Sequence, residues 1–116
     1  MSARAAVAAL VVLFDAEIKR RAGLKKLRED NFPGFVEGMK ARVEQGRILD
    51  AEMHTAAQAA LAAVQAEGLT DSATHDGSSI GFLLEVTVDS FTPAGRPMWG
   101  DDLRCFAKLF RTWAQR

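Results

Sequence analysis

Ile80-Gly81-Phe82-Leu83-Leu84-Glu85-Val86-Thr87-Val88 is the stretch whose period decides the fold class. Ile80, Phe82, Leu84, Val86 and Val88 alternate with Gly81, Leu83, Glu85, Thr87 and Asp89. That alternation predicts a half-buried strand with its even-numbered side chains inside. After it, Thr92-Pro93-Ala94-Gly95 fits a type I turn, with proline second and glycine fourth. Arg96 to Trp99 then returns as a short strand, which Pro97 confines to an edge. The expectation is a C-terminal β-hairpin in a chain that is otherwise helical.

The helical part is built around Asp50 to Glu67. Asp50 reads as an N-cap, because its carboxylate can accept from the free N–H groups of the first turn. Met53, Ala57, Ala60, Leu61 and Val64 fall on one face at helical spacing. Gly68 suits the left-handed C′ position, and Leu69 can fold back onto Val64 as in a Schellman ending. Upstream, Ser2 caps a helix from Ala3, with Val7, Leu10, Val11, Phe14 and Ile18 as its apolar stripe. Gly23 lies where that stripe fades, so this helix is expected to bend or end there. Asn31-Phe32-Pro33-Gly34 breaks the chain, and Pro33 opens a helix that carries Phe35, Val36, Met39 and Val43 to a stop at Gly46. The link Arg47-Ile48-Leu49 then makes an αα-hairpin with the Asp50 helix, the alternative being one long bent helix through the link. Asp101 caps the last helix, whose apolar face is Leu103, Phe106, Ala107, Phe110 and Trp113. The class is therefore mainly α (α+β): four helices and one short C-terminal β-hairpin, in a single domain over residues 1–116.

Composition bounds the function. Hydrophobic residues make up 48% and charged residues 26% of the chain, which excludes a disordered protein. The net charge is zero, but the charges lie in blocks. Residues 1–47 carry +4, residues 48–95 carry −7 with no Lys or Arg at all, and residues 96–116 carry +3. Such blocks either fold against one another or mark a charged face for a partner. The apolar run Ala5 to Phe14 is short for a membrane span and is followed at once by Asp15 and Glu17. No small-x-small cleavage site follows it, so it reads as a buried helix in a cytoplasmic protein without a membrane segment. One cysteine, Cys105, fits a reducing compartment and reads as a small core residue beside Leu109.

Candidate chemistry is sparse. Gly77-Ser78-Ser79-Ile80-Gly81 matches G-x-S-x-G, but a nucleophile elbow needs a strand before the serine and a helix after it, and here the order is loop then strand. His54 reads as an exposed residue one helical turn from Asp50. His54, His75 and Cys105 are not spaced as metal ligands, so no metal and no cofactor are expected. No phosphate loop or dinucleotide fingerprint appears. The densest charge run is Lys19, Arg20, Arg21, Lys25, Lys26 and Arg28, which reads as a surface for an acidic protein partner. The alternative is a nucleic-acid-binding regulator gripping phosphates with the same six cations, although aromatics for base stacking are missing from the run.

The function expected is thus non-catalytic protein binding. A small inhibitor or adaptor that covers a functional surface of a larger partner fits the size and the absent chemistry, and a phage-encoded inhibitor of a host or defence protein fits that description. A homodimer is a further expectation, with Leu103, Phe106, Phe110 and Trp113 as its seam, because their 3-4-3 spacing suits helix–helix packing.

Overall fold

Two serines and one asparagine cap three of the five helices. In the computed structural model, which describes residues 1–116, extended Ser2 turns its hydroxyl onto the Ala5 N–H and starts α1, Ala3–Asp30. Asn31 stops α1 and caps α2, Phe32–Glu37, through the Gly34 N–H, with Pro33 in the first turn as expected. Gly38 then leads into α3, Met39–Ala66. Ser79 caps α4, Ile80–Ser90, at the Phe82 N–H, and α5 is Gly100–Ala114. There is no strand or sheet.

The β-hairpin is therefore overturned. Ile80 to Val88 is the helix α4, and Arg96 to Trp99 is irregular. The buried residues of α4 are Ile80, Leu83, Leu84 and Thr87, a spacing of 3, 1 and 3 that only a helix can put on one face. Phe82, on the supposed inner face of a strand, is 55% exposed. The physical reason is backbone satisfaction. A two-stranded hairpin is marginal and leaves open edges, whereas a helix meets its own hydrogen bonds and needs only one apolar stripe. The Thr92–Gly95 turn does form, with the Gly95 N–H donating to the Thr92 carbonyl, but it links two helices.

The helix read from Pro33 to Gly46 is split at Gly38 into α2 and the start of α3, so the helices number five and not four, and three further boundaries differ from the sequence reading. α1 runs straight through Gly23, and α3 through Gly46, Arg47-Ile48-Leu49 and Asp50, so Asp50 lies inside a helix and caps nothing. The two long helices support each other along their length, which offsets the local cost of the glycines, about 1 kcal/mol each. α5 begins two residues earlier than expected, with Trp99 rather than Asp101 at its N-cap and Asp101 and Asp102 in its first turn, where their charge suits the dipole. The end of α3 is as read: Gly68 has φ +66°, its N–H bonds to Gln65, and the Leu69 N–H bonds to the Val64 carbonyl, a Schellman ending.

α1 and α3 form a long antiparallel hairpin with α2 at its turn. α4 lies on α3 and α5 on α1, while α2 touches only α1 and α3. At the open end of the hairpin, the Trp113 Nε1–H donates to Asp71, and Arg4 lies over the Trp113 ring. At mid-length, Phe14 meets Phe91 and Phe110 edge-on, with centroids 6.1 Å and 5.6 Å away. All of the core lies in this four-helix half; no residue from Ile18 to Glu52 is buried. The molecule measures 50 × 23 × 23 Å, so the remainder of its length is a bare two-helix tip. No helix is long and apolar enough to cross a membrane.

Candidate partner-binding site on the distal hairpin

The tip arises from one stripe on each long helix. On α3, positions 39, 43, 46, 50, 53, 57, 60 and 64 alternate steps of four and three, and so share a face. Met53, Ala57, Ala60 and Val64 on that stripe are buried beneath the second layer. Asp50 borders the Phe91–Pro93 loop that ends the layer, and beyond it Met39 and Val43 are 44% and 50% exposed. The matching stripe on α1 passes from Val7, Leu10 and Phe14 to Glu17, Arg21, Leu24 and Arg28. It too is buried as far as Glu17 and then opens. The face that α4 and α5 cover thus continues, uncovered, to the tip.

A polar layer marks the crossover. Glu17 is fully buried and accepts from Arg20 Nε and a terminal Arg20 nitrogen (2.9 and 2.7 Å) and from Arg21 Nε (2.7 Å). Arg21 also donates to the Met98 carbonyl at 2.7 Å, tying the α4–α5 loop to α1. Burial pushes the Glu17 carboxyl up, but the hydrogen bonds and charges of Arg20 and Arg21 outweigh it and hold the group below its ordinary value. Asp50 nearby is raised, by burial and then by the charge of Glu17, with Arg20 and Arg21 opposing. Glu17 in turn raises Arg20.

The six sequence-marked cations are therefore not one surface. Arg20 and Arg21 are half-buried and committed to Glu17. Lys19, Lys25, Lys26 and Arg28 are exposed and make no ion pair, as are Lys40 and Arg47 on α3. Helical spacing puts Arg21, Lys25 and Arg28 together, and Lys19 and Lys26 on another face. Of the apolar face read for the helix after Pro33, Val36, Met39 and Val43 are exposed and only Phe35 is half-buried; Phe32, read as part of the break, is exposed as well. Phe32 stacks on Phe35, whose ring carries Arg42 at 5.3 Å. The signal for this was present in the sequence: Leu24 and Leu27 are the only large apolar residues between Lys19 and Asn31, too few to cover that face.

The self-association residues are placed differently. Leu103, Phe110 and Trp113 are buried in the chain's own core and Phe106 is half-buried, so this face is already covered by α1. Cys105, read as core, is exposed. His54 is half-buried rather than exposed, with Nδ1 3.0 Å from the Val88 carbonyl. Ser79 of the G-x-S-x-G stretch is spent on capping α4 and follows a loop. No three His, Cys, Asp or Glu side chains converge as a metal site would need.

No protein-family model matches the chain, and no curated protein or solved structure matches it.

Proposed function

We propose that the protein is a non-catalytic protein-binding module, an adaptor or inhibitor that uses its distal hairpin as the contact surface. One observation carries this reading: Phe32, Val36, Met39 and Val43 are exposed on the same bare tip as Lys25, Arg28, Lys40 and Arg47, none of which has an ion-pair partner in the chain. Contiguous apolar surface with a polar rim is the anatomy of a protein interface. A nucleic-acid duplex would satisfy the cations but offers nothing to the apolar residues, which ranks protein above nucleic acid as the ligand. The exposed thiol of Cys105 supports a reducing, cytoplasmic setting.

The test is affinity capture from source-cell lysate with wild type and with Met39→Asp/Val43→Asp, with and without nuclease. A protein retained by wild type and lost with the double variant is expected. Equal retention by both would move the contact surface elsewhere. Loss on nuclease treatment alone would favour the nucleic-acid reading.

A further inference from the structure

The molecule is thick at one end and thin at the other. Its body has two layers, α1/α3 and α4/α5, and its tip has one. The uncovered run from Met39 to Asp50 is about 17 Å long, the same as the 11-residue α4 at 1.5 Å per residue. A shape of this kind interlocks with itself: two copies turned head to tail and face to face place each tip on the other's second layer.

The outer surface of that second layer has the chemistry to receive a tip. Phe82, Glu85, Val86 and Asp89 lie at steps of 3, 1 and 3 on α4, opposite its buried stripe. Phe82 is 55% exposed, and Trp99, at the start of α5, is 70% exposed. Neither Glu85 nor Asp89 makes an ion pair within the chain. Residues 19–47 carry nine Lys and Arg against four Asp and Glu, a balance of +5. The tip thus has too few carboxylates for its cations, even with Glu37 and Glu44 beside Lys40 and Arg47, and α4 has no cation for its carboxylates. Tip against tip would set like charge on like charge and leave both deficits standing.

We infer that a second copy of this chain occupies the uncovered seam, in a two-fold dimer that seats Met39, Val43, Lys40 and Arg47 of each copy on the Phe82–Asp89 face of the other. α4 lies on α3 within each copy. A two-fold axis in the plane between the layers therefore brings α3 of one copy over α4 of its mate. This rests on the reading of the distal hairpin as a docking surface and names an occupant for it. Self-association covers the seam, so any other partner of the tip competes with the dimer.

Light scattering coupled to size exclusion tests it, across a dilution series of the full chain. The expected mass is twice the 12.6 kDa of one chain, falling to one chain on dilution. Lys40→Glu/Arg47→Glu and, separately, Glu85→Lys/Asp89→Lys are each expected to raise the dissociation constant about ten-fold or more, since each sets like charges across the contact. All four changes in one chain restore opposite charges in both copies of the contact and are expected to bring back the wild-type mass. These side chains are exposed, so each variant is expected to fold, and circular dichroism is the check. A one-chain mass at every concentration overturns the dimer, and so does a dimer that the combined exchange fails to restore. The docking reading is judged separately: if the dimer fails while Met39→Asp/Val43→Asp still abolishes lysate capture, the surface stands and only its occupant is wrong.

Discussion

Replacing Glu17 by Gln keeps the shape of the side chain and removes the charge that holds Arg20 and Arg21. Three charge-assisted bonds at 2.7–2.9 Å are weakened. Removing one partner of a fully buried pair costs about 3–5 kcal/mol. Here the arginine side chains are 24% and 32% exposed and can turn towards water, and the amide still accepts one bond. The loss is therefore set lower, at about 2 kcal/mol. With an unfolding entropy of about 2.1 cal/mol/K per residue, that lowers Tm by about 8 °C for a chain of this length. The pH dependence has a definite sign. The folded pKa of Glu17 is depressed, so its stabilisation is present above the ordinary carboxylate value of 4.5 and is lost as pH falls through the folded value. The gap between wild type and Glu17→Gln therefore closes in acid. Asp50 behaves oppositely. Its folded pKa is raised, so its ionisation costs stability as pH rises from 3.8 through the folded value. Asp50→Asn is expected to raise Tm at pH 7 and to match wild type in acid. Thermal melts followed by circular dichroism across this pH range provide the check. The account of the polar layer is refuted if Glu17→Gln melts within about 2 °C of wild type at pH 7, or if Asp50→Asn lowers Tm there.

Other expectations follow from the helical identity of α4 and from the placement of α5. Thr87 is fully buried, its hydroxyl on the Leu83 carbonyl, so Thr87→Asp should unfold the protein as Leu84→Asp does, each by several kcal/mol, on the order of the cost of an unpaired buried carboxylate; equal melting of Thr87→Asp and wild type would restore the strand. Phe110→Glu should give an unfolded chain by circular dichroism and not a folded monomer, because Phe110 is fully buried against Phe14. Gly95→Ala should lower the urea midpoint, since a Cβ there would overlap the Asp89 carbonyl at the end of α4; an unchanged midpoint would mean that the turn yields freely.

Several features were legible in the sequence because their causes are local. Ser2 as a cap, Pro33 in a first turn, Gly68 at a left-handed C′ and the Thr92–Gly95 turn each depend on a few neighbouring residues. The apolar faces of α1, α3 and α5 in the body follow from period alone. Ile80 to Val88 was ambiguous because Ile80, Leu83, Leu84 and Thr87 fit a helix while the even positions fit a strand, and the β-branched residues favour the strand. Only packing resolves it: a helix can lie along the Ala57–Ala60 stripe of α3, and no third strand exists to complete a sheet. Gly23, Gly46 and Asp50 likewise read as boundaries, and the contact between two 28-residue helices carries the chain through them. The contact surface was hidden for the same reason. Phe32, Val36, Met39 and Val43 have the spacing of a core stripe, and periodicity cannot say whether a stripe is covered. α4 and α5 end at Glu17 and Asp50, half-way along the hairpin, and that length is what leaves the stripe in water.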